Sequence, residues 1–171
     1  MNRRRILDLF VIMGFAFTAM PQPAVSQQKS LTERLVGTWT FVSLVRTNSD
    51  GTKTNPWGAD PKGLFMFDPS GYFSVMISRS DIPNFASNNR LEGTADENKA
   101  VVQGTVAMIG TWSVDEASRT LITKIERGSF PNWNGTTQQF PIASLTADGL
   151  MYMVSAGTAG RPAEVTWTRA R

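Results

Sequence analysis

The chain has 171 residues, a length typical of a single domain, and it contains no cysteine and no histidine. These two absences exclude disulfide bonds, a cysteine nucleophile, a Ser-His-Asp triad and the usual histidine or cysteine ligands of haem and zinc. The net charge is +3, of which the first 26 residues contribute +2, so the remainder carries about +1. A charge balance this even, without a basic cluster, predicts no nucleic-acid partner.

The N-terminus has the layout of a secretory signal peptide. Arginines at 3–5 precede an uncharged apolar run at 9–20, and small residues at 24–26 match a cleavage site. The apolar run is shorter than the roughly 20 residues that a membrane span needs, although a membrane anchor is the alternative interpretation. We therefore expect a periplasmic or secreted protein without a stable membrane span, exported by either the general or the twin-arginine route. The expected division of the chain is a signal peptide at 1–26, a lead-in at 27–36 and a domain at 37–171.

From residue 37 onward, apolar and polar residues alternate in short segments separated by turn formers, which predicts β-strands. The predicted strands, in chain order, are 38–46, 64–67, 72–78, 106–114, 120–127, 138–145, 150–155 and 163–169. Glycine-rich residues 156–160 are a predicted turn. Residues 31–36 have the spacing of one helical turn. One longer helix is predicted from Thr94 to about residue 103, because Thr94 and Glu97 form a capping box.

Eight strands joined mainly by hairpins can close as an up-and-down barrel or stay open as a sandwich. The chain ends favour closure, because Trp39 and Arg169 would be neighbours at one rim of an eight-stranded antiparallel barrel. There the guanidinium can stack on the indole and seal the rim. Strict alternation in the first strand places four residues on one face: Trp39, Phe41, Ser43 and Val45. The predicted fold is all-β, an eight-stranded up-and-down antiparallel barrel with one short helix.

Six segments, in this order along the chain, resemble the bacterial and fungal family of lipocalin-like domain proteins. They are LVGTW (35–39), DPKG (60–63), PSGY (69–72), FAS (85–87) with Arg90, GTW (110–112) and SFPNWNGT (129–136). The resemblance implies a lipocalin-like β-barrel with a central cavity, and it implies no particular activity. Relatives often have histidine in the strand where Thr123 and Lys124 stand here, so it implies no histidine-dependent role for this chain.

The interior of an eight-stranded barrel holds side chains or one small ligand, so it is the expected binding site. We expect no metal and no cofactor, because the sequence contains no metal-ligand cluster and no glycine-rich phosphate loop. The candidate ligand contacts are Phe41, Met66, Tyr72, Met76, Arg79, Arg90, Trp112, Glu126, Asn132, Trp133 and Tyr152. Val45 and Met108 are further candidate walls. The alternation alone does not decide which strand face points inward, and these residues could instead fill the barrel.

Three charged candidates have two interpretations each. Arg79 and Arg90 flank a long loop and could hold an anionic group through paired hydrogen bonds, or they could form a surface ion network with Asp81. Glu126 could point inward, where burial would raise its pKa and suit it to proton transfer. Alternatively, Glu126 shares an exposed polar face with Lys124.

The leading functional hypothesis is the binding of a small, largely apolar or amphipathic molecule in the barrel cavity. An alternative is an enzyme, such as an isomerase, cyclase or dehydratase, with an inward carboxyl group beside Tyr72 or an arginine. A third hypothesis is a solidly packed barrel that binds another protein through an exposed apolar patch at Trp57 or Trp133. Asn132 and Trp133 lie in a loop, where they could line a ligand entrance or plug a barrel end.

Overall fold

The structure is a computed structural model that describes residues 29–155 and 162–171. Its elements, in chain order, are α1 (Leu31–Leu35), β1 (Gly37–Thr47), β2 (Lys53–Thr54), β3 (Lys62–Phe67), β4 (Tyr72–Ser78), α2 (Ala95–Gly104), β5 (Thr105–Asp115), β6 (Thr120–Gly128), a 3-10 helix (Pro131–Trp133), β7 (Thr137–Leu145), β8 (Gly149–Val154) and β9 (Ala163–Arg169). The expected signal peptide at 1–26 and the turn expected at 156–160 lie outside the described residues.

The strands form a closed antiparallel barrel. Their order is β2-β1-β3-β4-β5-β6-β7-β8-β9, and β1 also pairs with β9. The two-residue β2 pairs with the end of β1 at Arg46 and Thr47, so eight strands make the wall and β2 is an extra strand. The predicted eight-stranded up-and-down barrel is therefore confirmed. Strand β2 lies between the first two predicted strands and was not predicted, because two residues are too few for an alternation pattern.

A β-bulge in β1 changes which residues face inward. The register against β9 shifts between Phe41 and Ser43, so Val42 is an extra residue on β1. One extra residue moves every later side chain to the opposite face of the strand. The prediction that Ser43 and Val45 share one face of the strand with Phe41 is therefore wrong. Beyond the bulge the inner face carries Arg46 instead.

The packed core fills the barrel from its middle to the end where β1 begins. Aromatic rings dominate it: Phe65 lies 4.1 Å from Phe67 and 5.4 Å from Trp167, measured between ring centroids. Phe67 also meets Trp112 edge to face at 5.0 Å. Burial of one such side chain contributes about 1.5–3 kcal/mol, and a well-oriented aromatic pair adds roughly 0.5–1.5 kcal/mol. Most of the buried aromatic contacts of the barrel therefore lie in this half.

Helix α1 covers the packed end and joins the first strand to the last. The indole Nε1 of Trp39 donates a hydrogen bond to the carbonyl of Leu35 at 2.8 Å. The guanidinium carbon of Arg169 lies 4.1 Å from the centroid of the Trp39 ring, as the cation–π arrangement requires. Arg169 also donates to the carbonyls of Val36 at 3.1 Å and Ala147 at 2.8 Å. The structure thus brings Trp39 and Arg169 together at the rim.

Glu116, in the turn after β5, holds the N-terminus of α1. Its carboxylate accepts hydrogen bonds from the backbone N–H of Leu31 at 3.0 Å and of Thr32 at 2.9 Å, and from the Thr32 hydroxyl at 2.8 Å. Burial is the largest single influence on the pKa of Glu116 and acts to raise it. The hydrogen bonds together outweigh burial and hold the pKa below its ordinary value. The ionised carboxylate is therefore the form that anchors the helix.

We expect Glu116→Gln to lower Tm by roughly 1–4 °C at pH 7, because it weakens the cap of α1. The pKa of Glu116 is depressed in the folded state, so its stabilising effect is present above the unfolded-state pKa. That effect is lost as the pH falls through the folded-state pKa. Thermal melts should show a larger gap between wild type and variant at pH 7 than at pH 3. Glu92→Gln, at an exposed position, is the control, and a gap of equal size at both pH values would contradict this role.

Candidate binding cavity

The end of the barrel opposite α1 opens into a cavity of about 1230 Å³. This volume exceeds the roughly 300–1,000 Å³ typical of sites for drug-sized ligands. Besides the strand ends, the loop after β2, helix α2 and the 3-10 helix contribute to the lining. The lining includes Leu44, Arg46, Trp57, Val101, Val102, Val106, Met108, Phe130, Trp133, Gln138, Phe140, Tyr152, Val154, Ala163 and Val165.

The taper of β9 explains why this half of the barrel is open. Inward residues that pair across β1, β9 and β8 form three layers, stacked from the packed core, which is the floor of the cavity, to its mouth. In that order the layers are Phe41–Trp167–Leu150, Leu44–Val165–Tyr152 and Arg46–Ala163–Val154. The inward residues of β9 therefore shrink from Trp167 through Val165 to Ala163. The indole fills its layer completely and is 1% exposed. The smaller side chains above it leave space that the other strands do not fill.

Apolar side chains from the connecting segments frame the mouth. Phe130 and Trp133 pack edge to face with their centroids 5.3 Å apart. Val102, on α2, is 75% exposed, and Phe130 is 40% exposed. Trp57 reaches inward from the loop after β2 and meets the ring of Phe41 at 6.1 Å. Grouped apolar side chains at an opening are a feature of ligand entrances, because a bound molecule can cover them.

Polar side chains make up the smaller part of the lining and include Gln103, Thr105, Ser129, Thr137, Gln138, Gln139, Tyr152 and Ser155. Arg46 is the one charged side chain among the lining residues that the structure describes. Gln138 contributes a half-buried amide, and Tyr152 contributes a buried phenol. Burial raises the pKa of Tyr152 far above its usual value, so the hydroxyl stays protonated and can donate a hydrogen bond. An interaction with the indole of Trp167 opposes this only weakly, and within the described structure Trp167 Nε1 lacks a partner at hydrogen-bonding geometry.

The described ranges lack three features. They contain no group of three or more acidic residues that could hold a metal ion. No helix in residues 29–155 or 162–171 is long and apolar enough to cross a membrane. The enzyme hypothesis requires an inward carboxyl group, and no aspartate or glutamate occurs among the described lining residues.

Three predicted ligand contacts lie on the outside of the barrel. Met66, Tyr72 and Met76 are 44%, 58% and 54% exposed. They alternate along β3 and β4 with Phe65, Phe67, Phe73, Val75 and Ile77, which fill the interior. Both faces of β3 are apolar, so alternation could not choose between them, and the aromatic face was buried. In β4 the outward face also carries Ser74 and Ser78, which was a usable signal that this face points to solvent. The prediction that these three residues line the cavity is wrong.

The polar candidates also lie away from the cavity. Arg79 donates from Nε to Asp81 at 2.8 Å in a surface ion pair, and Arg90 is exposed on the same long loop. Glu126 is exposed at the register shift between β5 and β6, and Asn132 is exposed in the 3-10 helix. The positions of these side chains do not support the prediction that they contact a cavity ligand. For the charged residues they fit the alternative interpretation, in which these residues lie on the protein surface.

The remaining candidates divide between floor and lining. Phe41 packs against Trp167 at 5.0 Å below the cavity, whereas Trp112 lies in the core with its Nε1 bonded to the carbonyl of Asp68 at 3.0 Å. Trp133 and Tyr152 line the cavity. Their contact with a ligand stays a prediction. Of the two additional walls, Met108 lines the cavity and Val45 faces outward beyond the bulge.

Several lining residues escaped the sequence analysis. Arg46 could be found only by locating the bulge at Val42, for which the sequence has no clear marker. Val102 and Phe130 come from connecting segments whose position over the barrel depends on the finished fold. Trp57 carried a usable signal, since a large aromatic residue between Pro56 and a glycine in a loop needs a packing partner.

The chain matches one family model and is similar to solved β-barrel structures. A family model described as a lipocalin-like domain matches residues 36–170. The chain is similar to a solved lipocalin-like protein from Bacteroides uniformis, with 15% identity, a TM-score of 0.47, and coverage of 80% of this chain and 99% of that one. It is also similar to a redesigned β-barrel, with 15% identity, a TM-score of 0.44, and coverage of 85% and 100%. No sequence among the curated proteins matches this chain.

Proposed function

This chain belongs to the family of lipocalin-like domain proteins, and from that premise we propose that it binds a small, largely apolar molecule in the cavity opposite α1. The lipocalin-like barrel suggests ligand binding but names no ligand. The observation that carries the proposal is the cavity of about 1230 Å³, lined mainly by apolar side chains and open at one end. A barrel that served only as a packed scaffold would fill this volume with side chains.

The energetics of the cavity favour an apolar ligand. Each square ångström of apolar surface removed from water contributes about 25 cal/mol, and Val102 and Phe130 offer such surface at the mouth. The hydrogen-bonded wall of the barrel is already in place, so little ordering of the backbone would oppose binding. Tyr152 and Gln138 could each pair with one polar group of the ligand.

Export is a further part of the proposal. The basic start, the apolar run and the small residues before position 27 support a signal peptide. A protein exported in this way would hold its ligand in the periplasm or outside the cell. The chain has no cysteine, so it can form no disulfide there.

We expect the neutral fluorophore N-phenyl-1-naphthylamine to bind the wild-type protein saturably, and Ala163→Trp to weaken this binding at least about tenfold. The indole would occupy the layer between Arg46 and Val154, where the inward side chain of β9 is only a methyl group. Glu164→Trp is the matched control, because it adds the same ring to the adjacent, outward position. Fluorescence titration measures the affinities, and circular dichroism checks that both variants are folded.

Two results would count against the proposal. The wild-type protein could fail to enhance the fluorescence of the probe, which would mean that the cavity does not take up apolar molecules. Alternatively, Ala163→Trp and Glu164→Trp could bind the probe equally well while folded. Binding would then take place outside the cavity.

A further inference from the structure

We infer that the ligand is an amphipathic molecule with a single small anionic head, such as a carboxylate, and that Arg46 holds this head at the mouth of the cavity. This inference rests on the proposed function, because it assigns the chemistry of the molecule that the cavity holds. It adds a charge requirement and an orientation that an apolar cavity alone would not impose.

The bulge in β1 delivers Arg46 to the cavity. Because Val42 is an extra residue, the side chain of Arg46 near the end of β1 faces inward rather than outward. Arg46 lies opposite Ala163 on one side and Thr54 on the other. Neither neighbour is large enough to cover a guanidinium, so the half-buried charge borders open cavity.

No partner neutralises this charge in the described structure. The salt bridges there are Lys62–Asp60 and Arg79–Asp81, and Arg46 takes no part in them or in a side-chain hydrogen bond. Among the described residues, the cavity lining contains no carboxylate. Residues 156–161 between β8 and β9 have the sequence AGTAGR, which also lacks aspartate and glutamate.

A ligand anion would supply the missing partner. A guanidinium removed from bulk water is stabilised when a carboxylate accepts two parallel hydrogen bonds from it. The field inside the mouth is positive and uncompensated, which favours an anion over a neutral or cationic head. The protein's small net charge does not produce this preference, so the preference is local to Arg46.

The layers below Arg46 fit the rest of such a molecule. Ala163 and Val165 are two residues apart on β9, so the Arg46 layer lies about 7 Å above the layer of Tyr152. A head bound at Arg46 would direct the ligand body past Val165 toward the floor at Trp167. The ligand is therefore apolar along most of its length, with its charge at the open end.

The test compares three ligands with the same tail and different heads: dodecanoate, dodecanol and dodecyltrimethylammonium. Each displaces the neutral fluorophore from wild type, Arg46→Gln, Arg46→Lys and the exposed control Arg127→Gln at concentrations below micelle formation. We expect wild type to bind dodecanoate at least about tenfold more tightly than the other two. Arg46→Gln should remove that preference, Arg46→Lys should retain part of it, and Arg127→Gln should leave it unchanged.

The outcomes separate this inference from the proposed function. The fluorophore could bind wild type and be displaced equally well by dodecanoate and dodecanol. That result would contradict the inferred anionic head but not the proposed binding of apolar molecules in the cavity. An equal loss of both ligands in Arg46→Gln would have the same meaning. If the fluorophore itself does not bind, the proposed function fails and the inference falls with it.

A salt titration of wild type covers the case in which Arg46→Gln does not fold. The affinity for dodecanoate should fall as the salt concentration rises, because added ions screen the guanidinium, while that for dodecanol should not. A dodecanoate affinity that does not depend on salt would overturn the role of Arg46.

Discussion

Trp39→Ala is expected to lower the free energy of unfolding by about 3–5 kcal/mol, the usual loss for a fully buried tryptophan. Trp39 is 0% exposed, and its ring supports the guanidinium of Arg169 at 4.1 Å. The substitution also leaves the buried carbonyl of Leu35 without its indole donor. For a protein of this size the loss corresponds to a fall in Tm of roughly 6–20 °C, which thermal and urea denaturation can both measure.

The control for this substitution is Trp57→Ala. It removes the same side chain from a half-buried position at the mouth, where the ring edge meets Phe41. We expect it to lower the free energy of unfolding by less than half as much as Trp39→Ala does. An unchanged Tm in Trp39→Ala would contradict the role of Trp39 and Arg169 in closing the rim of the barrel.

Gly110→Ala is expected to destabilise the protein by at least about 3 kcal/mol, at the upper end of the range for overpacking. A Cβ atom at position 110 would lie 2.0 Å from the carbonyl oxygen of Lys124 and 3.0 Å from the backbone N of Glu126. Both obstacles are backbone atoms of β6 at the register shift opposite Ile109, so no rotamer change can relieve the clash. The strands must separate locally, which breaks ladder hydrogen bonds.

Gly51→Ala provides the comparison for Gly110→Ala. A Cβ at position 51 would meet nothing within 4 Å, but its φ of +82° makes an alanine there cost about 1 kcal/mol. Urea denaturation should therefore rank Gly110→Ala well below Gly51→Ala in stability. The reverse ranking would mean that β5 and β6 are not in close contact at the register shift.

The strand pattern was predictable because local and global signals agree along most of the chain. The predicted strands 72–78 and 163–169 have the bounds of β4 and β9 in the structure. In β4 the cause is a tight turn, since Asp68 accepts a hydrogen bond from the backbone N–H of Ser70 at 2.8 Å and fixes the hairpin register. The capping box predicted for α2 is also present, with Thr94 accepting from the backbone N–H of Glu97 at 3.2 Å.

The binding site was less predictable, because it depends on which face of each strand points inward. Alternation identifies two faces but not their orientation when both are apolar, as with Met66 and Phe67 on β3. A bulge then reverses the faces within one strand, as at Val42, and so hides Arg46. Residues such as Val102 meet the cavity only because barrel closure places the helix before β5 at its mouth.

Whether the protein carries a small molecule in its cavity can be measured by native mass spectrometry on the protein purified from the cells that make it. We expect one small molecule per chain, lost from Ala163→Trp and retained by Glu164→Trp. The same spectrum gives the mass of the chain and so shows whether residues 1–26 have been removed. Wild-type and Ala163→Trp preparations that both contain only bare protein, together with no uptake of the neutral fluorophore by wild type, would contradict ligand binding in the cavity.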